Sequence, residues 1–381
     1  MDDLSGQPTV SQRAVALHDL IDGDAAAAER QGRLTDAVAS ALLDSGLLSI
    51  SVPTRFGGLG LGQRELFEGI EAIARADGSA GWVAGVCNTI NLTVAMGAPR
   101  AGLDEVFGHG PVSCWASLLP TANATEVEGG FRVTTNGVFG SGSSLSSYVL
   151  LATNTGGPGE GRYRAFLIPK SEVEIRDGSW DVMGLKATAS ADYAVKDCFV
   201  PAHRSWEYNW AGAGDGPLSA TESVRWGALG LTAFASGVGL RAQDELIASA
   251  KKTRRTVGEG FQSDDGAIQF GLGELDGRLR AARSHLLSLL ADLDERPGRR
   301  SVTPEQGVAV TQACQTLARA AREMVIFAFD NAGTSAVYAR SPIQRCLRDI
   351  FAGMKHASFT PAMLGRIGKV RLGLPFGGTP L

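Results

Sequence analysis

Apolar side chains recur at helical spacing over the first hundred residues. Residues 11–108 are therefore predicted to be mainly helical, because apolar positions three and four residues apart form one face of a helix. One segment, GWVAGVCNTINLTVAMG, is apolar all round, which is typical of a helix buried on every side. The pattern predicts an N-terminal helical domain over residues 1–108.

Between residues 109 and 205 the spacing of the apolar positions shortens from about 3.6 toward about 2 residues. Glycine pairs separate the segments, as they do in hairpin turns. The predicted strands are FRVTTNG, SSYVLLATN, RYRAFLIP, EIRD and DYAVKDCFVP. This alternation predicts a central antiparallel β-sheet or barrel domain.

Helical spacing returns between residues 206 and 381, in four long segments. Two of these segments carry apolar stripes that step by three and four residues. The stripes consist of Ile268, Leu272, Leu275, Leu279, Leu286 and Leu293, and of Val310, Cys314, Leu317, Ala321, Met324 and Ala328. Stripes of this length predict an antiparallel four-helix bundle. The chain is thus predicted to be α+β: a helical domain, a β domain and a C-terminal bundle.

The last helical stretch, Ser341 to Leu374, combines an apolar stripe with a polar pair. The stripe comprises Ile343, Leu347, Ile350 and Met354. At about 100° per residue, Asp349 and His356 fall within roughly 20° of each other on the opposite face. Small residues lie between them, which leaves room for a ligand. The alternative is a histidine whose partners are satisfied at a helix interface.

The composition of the chain argues against several kinds of partner and site. The 381 residues are 44% hydrophobic and carry a net charge of −4, which argues against nucleic acid or an anionic membrane as a partner. No signal sequence and no membrane span is expected. The five cysteines and five histidines have neither disulfide-framework nor metal-site spacing, so we expect no metal, reduced thiols and a cytoplasmic protein.

Several motifs occur in an order that resembles a known family. They are SVPTRFGGLGLG, GSAGWVAGV, SCWASLLPTANATEVEGGFRV, FGSGSS, GLKATASADYAVKDCFVPAHR and SPIQRCLRDIFAGMKHAS. Together they resemble the acyl-CoA dehydrogenase fold from end to end. Within that fold, the chain is most similar to the flavin-dependent monooxygenases that receive reduced flavin from a separate reductase.

The last motif separates these monooxygenases from the dehydrogenases. The best-known dehydrogenases follow an Arg-Asp pair with a Tyr-Glu-Gly-Thr box whose glutamate removes the substrate α-proton. Here Arg348 and Asp349 are followed by KHAS, with Ala357 in the box and no carboxylate. A dehydrogenase needs a base at that position. The monooxygenases instead carry a histidine, as this chain does at His356.

The resemblance implies a reaction and its cofactors. The cofactors are reduced flavin, either FMNH2 or FADH2, and O2, which together give a C4a-hydroperoxide that oxygenates a small molecule. His356 is expected to be catalytic, either by deprotonating the substrate or by hydrogen bonding to the peroxide. Asp349 is expected to be structural. A homotetramer assembled through the bundle is also implied.

Further positions match residues that contact the flavin in the family. Ser141, between glycines, is assigned both a catalytic and a flavin-binding role. The positions assigned to flavin binding are Trp115, Ser117, Ser141, Thr188, Ser190 and Arg254. Each also has a structural interpretation: a core aromatic, hairpin hydroxyls, or a solvated cation at a helix end. Ala189 replaces the glycine of the family's Thr-Gly-Ser turn.

The substrate and two other functions stay open. Phenol-hydroxylating relatives carry a histidine near the position of Ile90, and Asn91 follows it here. A simple phenol is therefore not favoured over a nitrogen, sulfur or carbon nucleophile. One alternative function is an FAD-dependent desaturase with its base relocated, for example to Glu222 or Glu245. The other is a non-catalytic protein of the same fold.

Overall fold

The computed structural model describes residues 8–108, 112–117, 122–154, 163–208, 220–255, 259–295 and 303–374. Eleven α-helices lie in this part of the chain. They are α1 (Val10–Ala16), α2 (His18–Gln31), α3 (Asp36–Asp44), α4 (Gln63–Ala76), α5 (Gly78–Gly97), α6 (Arg100–Phe107), α7 (Ala220–Ala250), α8 (Gly266–Asp294), α9 (Pro304–Asn331), α10 (Pro342–Gly353) and α11 (Pro361–Arg371). The α+β class and the predicted order of a helical region, a β region and a second helical region are confirmed.

Eight strands form two four-stranded sheets between the helical regions. They are β1 (Cys114–Ser117), β2 (Asn123–Val127), β3 (Gly130–Gly137), β4 (Tyr148–Asn154), β5 (Tyr163–Pro169), β6 (Glu174–Ile175), β7 (Tyr193–Pro201) and β8 (Ser205–Tyr208). The sheets run β1-β4-β5-β8 and β2-β3-β7-β6. The predicted central antiparallel β domain is confirmed as mainly antiparallel, but it comprises two sheets, and β1 pairs with β4 in parallel.

Helix α7 lies at the centre of the molecule, against α4 and α5 on one side and α9 on the other. Glycines allow the close approach: a Cβ on Gly85 would lie 3.2 Å from the carbonyl oxygen of Gly230. Helix α5 is buried almost all round, as its continuous apolar sequence predicts. The N-terminal helices and the bundle are therefore packed together along α7.

The bundle comprises α7, α8, α9 and α10. The predicted stripe on α9 is buried along its whole length, so that prediction is confirmed. The stripe on α8 is buried only from Leu279 onward, whereas Ile268, Leu272 and Leu275 are half-buried and Phe270 is 73% exposed.

The last helical stretch is interrupted, and the prediction of one helix from Ser341 to Leu374 was wrong. Helix α10 ends at Gly353, where a Cβ would lie 2.5 Å from the ring of Phe234 in α7. A short 3-10 turn and α11 follow. His356 therefore does not share a helical face with Asp349, whose side chain is buried together with the stripe residues Ile343 and Ile350.

The described residues add three observations relevant to function. Their helices include none with the length and apolarity needed to cross a bilayer. They contain no group of three or more side chains that could hold a metal ion. All five cysteines are buried and unpaired.

Candidate active site

Trp82 in α5 brings together the two residues predicted to be catalytic. Its indole N–H donates a 3.2 Å hydrogen bond to Ser141 Oγ. Its ring centroid lies 5.9 Å from that of His356, with the planes at 73°. On its other side it makes an edge-to-face contact with Phe234, at 5.3 Å and 89°. Segments more than two hundred residues apart in sequence thus meet at one indole ring.

A chain of buried hydroxyl groups extends from Ser141. Ser141 Oγ lies 2.6 Å from Ser190 Oγ, and Ser190 Oγ lies 2.6 Å from Thr188 Oγ1. Thr188 donates to the carbonyl of Leu185 at 2.8 Å. Because an indole N–H only donates and a carbonyl only accepts, the direction follows: Trp82 to Ser141, Ser141 to Ser190, Ser190 to Thr188, Thr188 to Leu185. The predicted flavin residues Thr188 and Ser190 therefore adjoin Ser141.

The loops that carry these hydroxyls contain strained backbone. Four described non-glycine residues have positive φ. Three of them flank the hydroxyl chain: Phe139 (φ 61°), Leu185 (φ 55°) and Ala189 (φ 49°). Left-handed conformations cost L-residues about 1–2 kcal/mol each, and such strain is concentrated at functional sites. The conformation of Ala189 also explains why glycine suits this turn in the family.

Exposed aromatic surface lies beside the chain. Phe139, two residues before Ser141, is 60% exposed. Its ring is 6.1 Å from that of Trp180 at 87°, and the Trp180 indole donates to the Leu185 carbonyl at 2.9 Å. A strained, exposed phenylalanine next to buried polar groups offers an apolar face to a planar ligand.

Asp349 connects helix α10 to the loop of the hydroxyl chain. Its Oδ1 accepts the N–H of Leu185 at 2.6 Å, so one peptide segment links Asp349 to Thr188. Burial, followed by the nearby carboxylate of Asp77, raises the pKa of Asp349 to about 8. Arg345 lies 3.4 Å from Asp77 and partly compensates the buried charge. The expected structural role of Asp349 therefore includes positioning a loop of the site.

His356 follows α10 and begins the 3-10 turn Ala357–Phe359. Its Nδ1 accepts the backbone N–H of Ser358 at 3.2 Å. The side chain is exposed in the isolated chain. Nevertheless, the protein atoms around the ring lower the imidazole pKa by desolvation, so the ring is neutral near pH 7.

Two of the predicted flavin residues lie on strand β1. Trp115 is fully buried between the sheets, at 85° to the ring of Tyr193. A Cβ on Gly140 would lie 3.3 Å from the Trp115 indole nitrogen. The Trp115 indole therefore packs beneath the loop that carries Ser141, and its direct contact with flavin stays a prediction. Ser117 pairs with Leu151 through its backbone, and its side chain lies outside the described residues.

No described hydrogen bond or ion pair joins Arg254 to the other residues that were predicted to bind flavin. Its guanidinium lies over the ring of Phe261 at 4.8 Å. No carboxylate pairs with it among the residues that the structure describes, so its charge is available to an anion. Its assignment to flavin stays a prediction.

Of the two carboxylates considered as the base of a desaturase, the structure describes the side chain of Glu245 only. Glu245 is 2.9 Å from Arg241 one turn earlier on α7. The side chain of Glu222 lies outside the described residues. No described side chain therefore replaces the glutamate that is missing next to His356.

Sequence reasoning missed Trp82, Phe139 and the contact made by Asp349. Trp82 lies in a helix that is apolar all round, where an indole is indistinguishable from a core residue. The only signal for Phe139 was its place next to the glycine-flanked Ser141. The Asp349 contact depends on a loop 164 residues away in sequence.

Comparison with known families matches both ends of the chain. Residues 13–100 match the N-terminal domain of acyl-CoA dehydrogenases. Residues 229–361 match their C-terminal domain. The second match includes His356 and the first includes Trp82, which contacts it.

Individual relatives align over nearly the whole length. The oxygenase subunit HsaA, a flavin-dependent monooxygenase of Mycobacterium tuberculosis, is 30% identical over 98% of this chain and 94% of its own. A pigment production hydroxylase of Rhodococcus erythropolis is 29% identical over 94% of this chain and 96% of its own. The solved structure of XiaF from Streptomyces, in complex with FADH2 and glycerol, superposes with a TM-score of 0.89 at 22% identity, over 98% of this chain and 97% of XiaF.

Proposed function

The chain belongs to the acyl-CoA dehydrogenase family and, within it, to the flavin-dependent monooxygenases, and from this we propose that it oxygenates a small molecule with reduced flavin and O2. The contact of Trp82 with both Ser141 and His356 supports this site more than any other observation. It joins the two residues that the resemblance assigns to catalysis.

The groups around Trp82 fit reduced flavin. Hydroxyl and imidazole N–H donors complement the nitrogen and carbonyl acceptors of its ring, and exposed Phe139 supplies an aromatic face. When bound, reduced flavin activates O2 and supplies the electrons for oxygen transfer. Ser141 orients the ring by donating its hydroxyl proton. To do so it gives up its hydrogen bond to Ser190, while the Trp82 N–H continues to hold its oxygen.

Residues away from the reacting atoms prepare the site. The positive φ values at Leu185 and Ala189 shape the turn in which Thr188 contacts Ser190 and Ser190 contacts Ser141. Trp82 and Phe234 cover the inner side and keep water away from the oxygen transfer. Arg254, with no described carboxylate partner, holds the flavin phosphate.

The reduced flavin comes from a separate reductase. The relative HsaA is named as the oxygenase subunit of a flavin-dependent monooxygenase, which implies a second subunit for reduction. The buried, unpaired cysteines suit a reducing compartment, and we assign the protein to the cytoplasm.

The chain forms a homotetramer through its bundle. Phe270 is 73% exposed on α8, on the side opposite to the half-buried stripe, and a large exposed apolar side chain suits a symmetric interface. Analytical ultracentrifugation should give a tetramer for the wild type and smaller species for Phe270→Glu. A monomeric wild type would contradict the assembly.

The reaction is tested by mixing photoreduced FMN or FAD anaerobically with the protein, adding 18O2 and supplying indole as a probe. Labelled product and delayed release of hydrogen peroxide are expected. Release as fast as from free reduced flavin, with no labelled product, would contradict the proposal. Bleaching of bound oxidised FAD by an acyl-CoA would instead support the desaturase.

A further inference from the structure

Two residues of α10 hold the backbone segment that precedes the hydroxyl chain. The guanidinium of Arg348 donates to the Met183 carbonyl at 2.9 Å. The backbone of Gly184 lies so close to the Arg348 carbonyl that a Cβ would not fit. The carboxyl group of Asp349 accepts the N–H of Leu185 at 2.6 Å. Since the carbonyl of Leu185 accepts the last hydroxyl of the chain, this contact fixes the end of the chain relative to α10.

The same carboxyl group also lies against the helix that carries Trp82. A Cβ on Gly78 would be 2.6 Å from Asp349 Oδ2, so only glycine allows this approach. Gly78 is the first residue of α5, Asp77 is its N-cap, and Trp82 follows one turn later. Asp349 is thus located where α5, α10 and the loop of the hydroxyl chain meet.

Asp349 adjoins a network of ion pairs between α2, α7, α10 and the start of α5. The cations of this network already have carboxylate partners. Arg348 pairs with Glu29, Arg345 with Asp77 and Asp22, and Arg241 with Asp22 and Glu245. The thiol of Cys346 faces the same group and stays neutral, because burial raises its pKa to about 12. Among the described residues no ion pair reaches Asp349, although only 1% of its surface is exposed.

Asp349 therefore carries a proton near pH 7, whereas Asp77 carries a charge. Burial opposes the charge on both groups, but Asp77 has Arg345 at 3.4 Å and the N–H of Ala80 at 3.0 Å to stabilise it. For Asp349, burial and the Asp77 carboxylate outweigh the hydrogen bond from Leu185, and its pKa is raised to about 8. A protonated carboxyl group still accepts that hydrogen bond through its second oxygen. Ionisation would instead bury two like charges side by side.

We infer that Asp349 is a positioning residue that holds the hydroxyl chain in place while it is protonated and releases the chain when it ionises. Repulsion from Asp77 then moves the carboxylate away from α5, and the N–H of Leu185 moves with it. The hydroxyl chain shifts, and Ser141 loses its alignment with Trp82. The site is thereby switched off at alkaline pH. The effect on oxygen transfer rests on the proposed function, whereas the effect on the hydroxyl chain does not.

The proton on Asp349 is measurable without flavin or substrate. Infrared spectra of the wild type near pH 7 are expected to contain the C=O stretching band of a buried, protonated carboxyl group. This band should be absent in Asp349→Asn, and in the wild type at about pH 9.5. Glu71→Gln is the matched control and should keep the band, because Glu71 is also buried but forms an ion pair with Arg283 at 2.6 Å. No such band in the wild type, or a band that persists in Asp349→Asn, would overturn the inference.

The alignment of the hydroxyl chain is read from the indole N–H of Trp82, which donates to Ser141. Its 1H–15N signal is identified by its absence in Trp82→Phe. Between about pH 7 and about pH 9.5 this signal should shift in the wild type and in Glu71→Gln. It should not shift in Asp349→Asn, whose amide does not titrate and keeps an acceptor for Leu185. An equal shift in all three proteins, or no shift in the wild type, would overturn the positioning role.

Oxygen transfer provides the third test, with reduced FMN and with indole as the probe. Product per reduced flavin in the wild type, divided by that in Asp349→Asn, should be near one at about pH 7 and fall about tenfold at about pH 9.5. The ratio removes the ionisation of the flavin itself, which affects both proteins alike. A ratio that does not change with pH would overturn the switch. If the wild type forms no product at either pH, the proposed function fails, and the infrared band and the Trp82 signal still decide the role of Asp349.

Discussion

The two sides of the candidate site differ in how many of their hydrogen-bonding groups already have a partner in the protein when no ligand is bound. On the side of the β domain, Ser141 is 7% exposed and every hydroxyl of its chain has a donor and an acceptor. On the side of the bundle, His356 is exposed and only one of its ring nitrogens is engaged. Trp82 touches both residues. The first side is thus preorganised and must exchange a hydrogen bond when a ligand enters, whereas the second side offers a free donor.

Asp349 connects the two sides, and replacing it should lower the free energy of unfolding more than any of the other substitutions. Asp349→Ala leaves the buried N–H of Leu185 without an acceptor and opens a cavity, so the free energy of unfolding should fall by about 3 kcal/mol. Asp349→Asn keeps an acceptor and should lose clearly less. Urea denaturation measures both variants, and equal losses would show that the Leu185 contact is unimportant.

The same carboxyl group predicts a pH dependence. Its pKa is raised to about 8 in the folded chain and is about 3.9 in an unfolded chain. Between these values the folded chain binds more protons, so the stability contributed by this group falls as the pH rises from about 4 to about 8. An asparagine side chain does not titrate in this range, and Asp349→Asn should therefore flatten the stability profile. An unchanged slope would contradict the raised pKa.

Ser141→Ala tests the preorganised side. It removes a donor to the flavin, so product per reduced flavin should fall by about a hundredfold, while the free energy of unfolding falls by about 1–3 kcal/mol because the Trp82 N–H loses its acceptor. Ser143→Ala is the matched control, because Ser143 lies in the same loop and donates to the Ala189 carbonyl. Equal losses of activity in the two variants would make Ser141 structural only.

Trp82→Phe tests the link between the two sides. It keeps an aromatic ring beside Phe234 and His356 but removes the N–H bound to Ser141. A loss of about 1 kcal/mol, or roughly fivefold in product per flavin, is expected. Trp206→Phe is the control, since Trp206 is buried in a different hydrophobic cluster, with residues of α6, β4 and β5. Activity that falls only in the Trp206 variant would refute the role of Trp82.

Ala189→Gly should change the free energy of unfolding by the smallest amount, and it should raise it, whereas the other substitutions lower it. Relief of the left-handed strain at φ 49° is partly offset by the entropy of glycine, so a gain of up to about 1 kcal/mol is expected. Ala26, exposed in the middle of α2, is the control, and Ala26→Gly should lose about 1 kcal/mol. Equal destabilisation by both changes, measured by urea denaturation, would show that Ala189 is not strained.

Periodicity predicted those elements whose shape is set by burial along their whole length. The α9 stripe and the all-apolar α5 are examples, because every turn of each packs against neighbours. The family resemblance assigned Ser141, Thr188 and Ser190 to one site, and their hydroxyl groups adjoin one another in the structure. These residues could be identified from short motifs because one loop and one turn carry all three.

Long-range contacts explain what the sequence did not reveal. The end of α10 depends on Phe234 meeting Gly353 from another helix, and periodicity continues through such a point unchanged. Trp82 contributes to the family resemblance only as part of the motif GSAGWVAGV, although it contacts both catalytic candidates. The parallel pairing of β1 with β4 is likewise a long-range contact. The alternation of apolar and polar positions predicts strands but not which strands pair.

A structure with reduced flavin bound tests the account most directly. We expect the flavin ring to lie within hydrogen-bond distance of both Ser141 Oγ and His356 Nε2, with Ser141 released from Ser190. A flavin ring that contacts neither residue, or that leaves His356 packed against protein alone, would contradict the account.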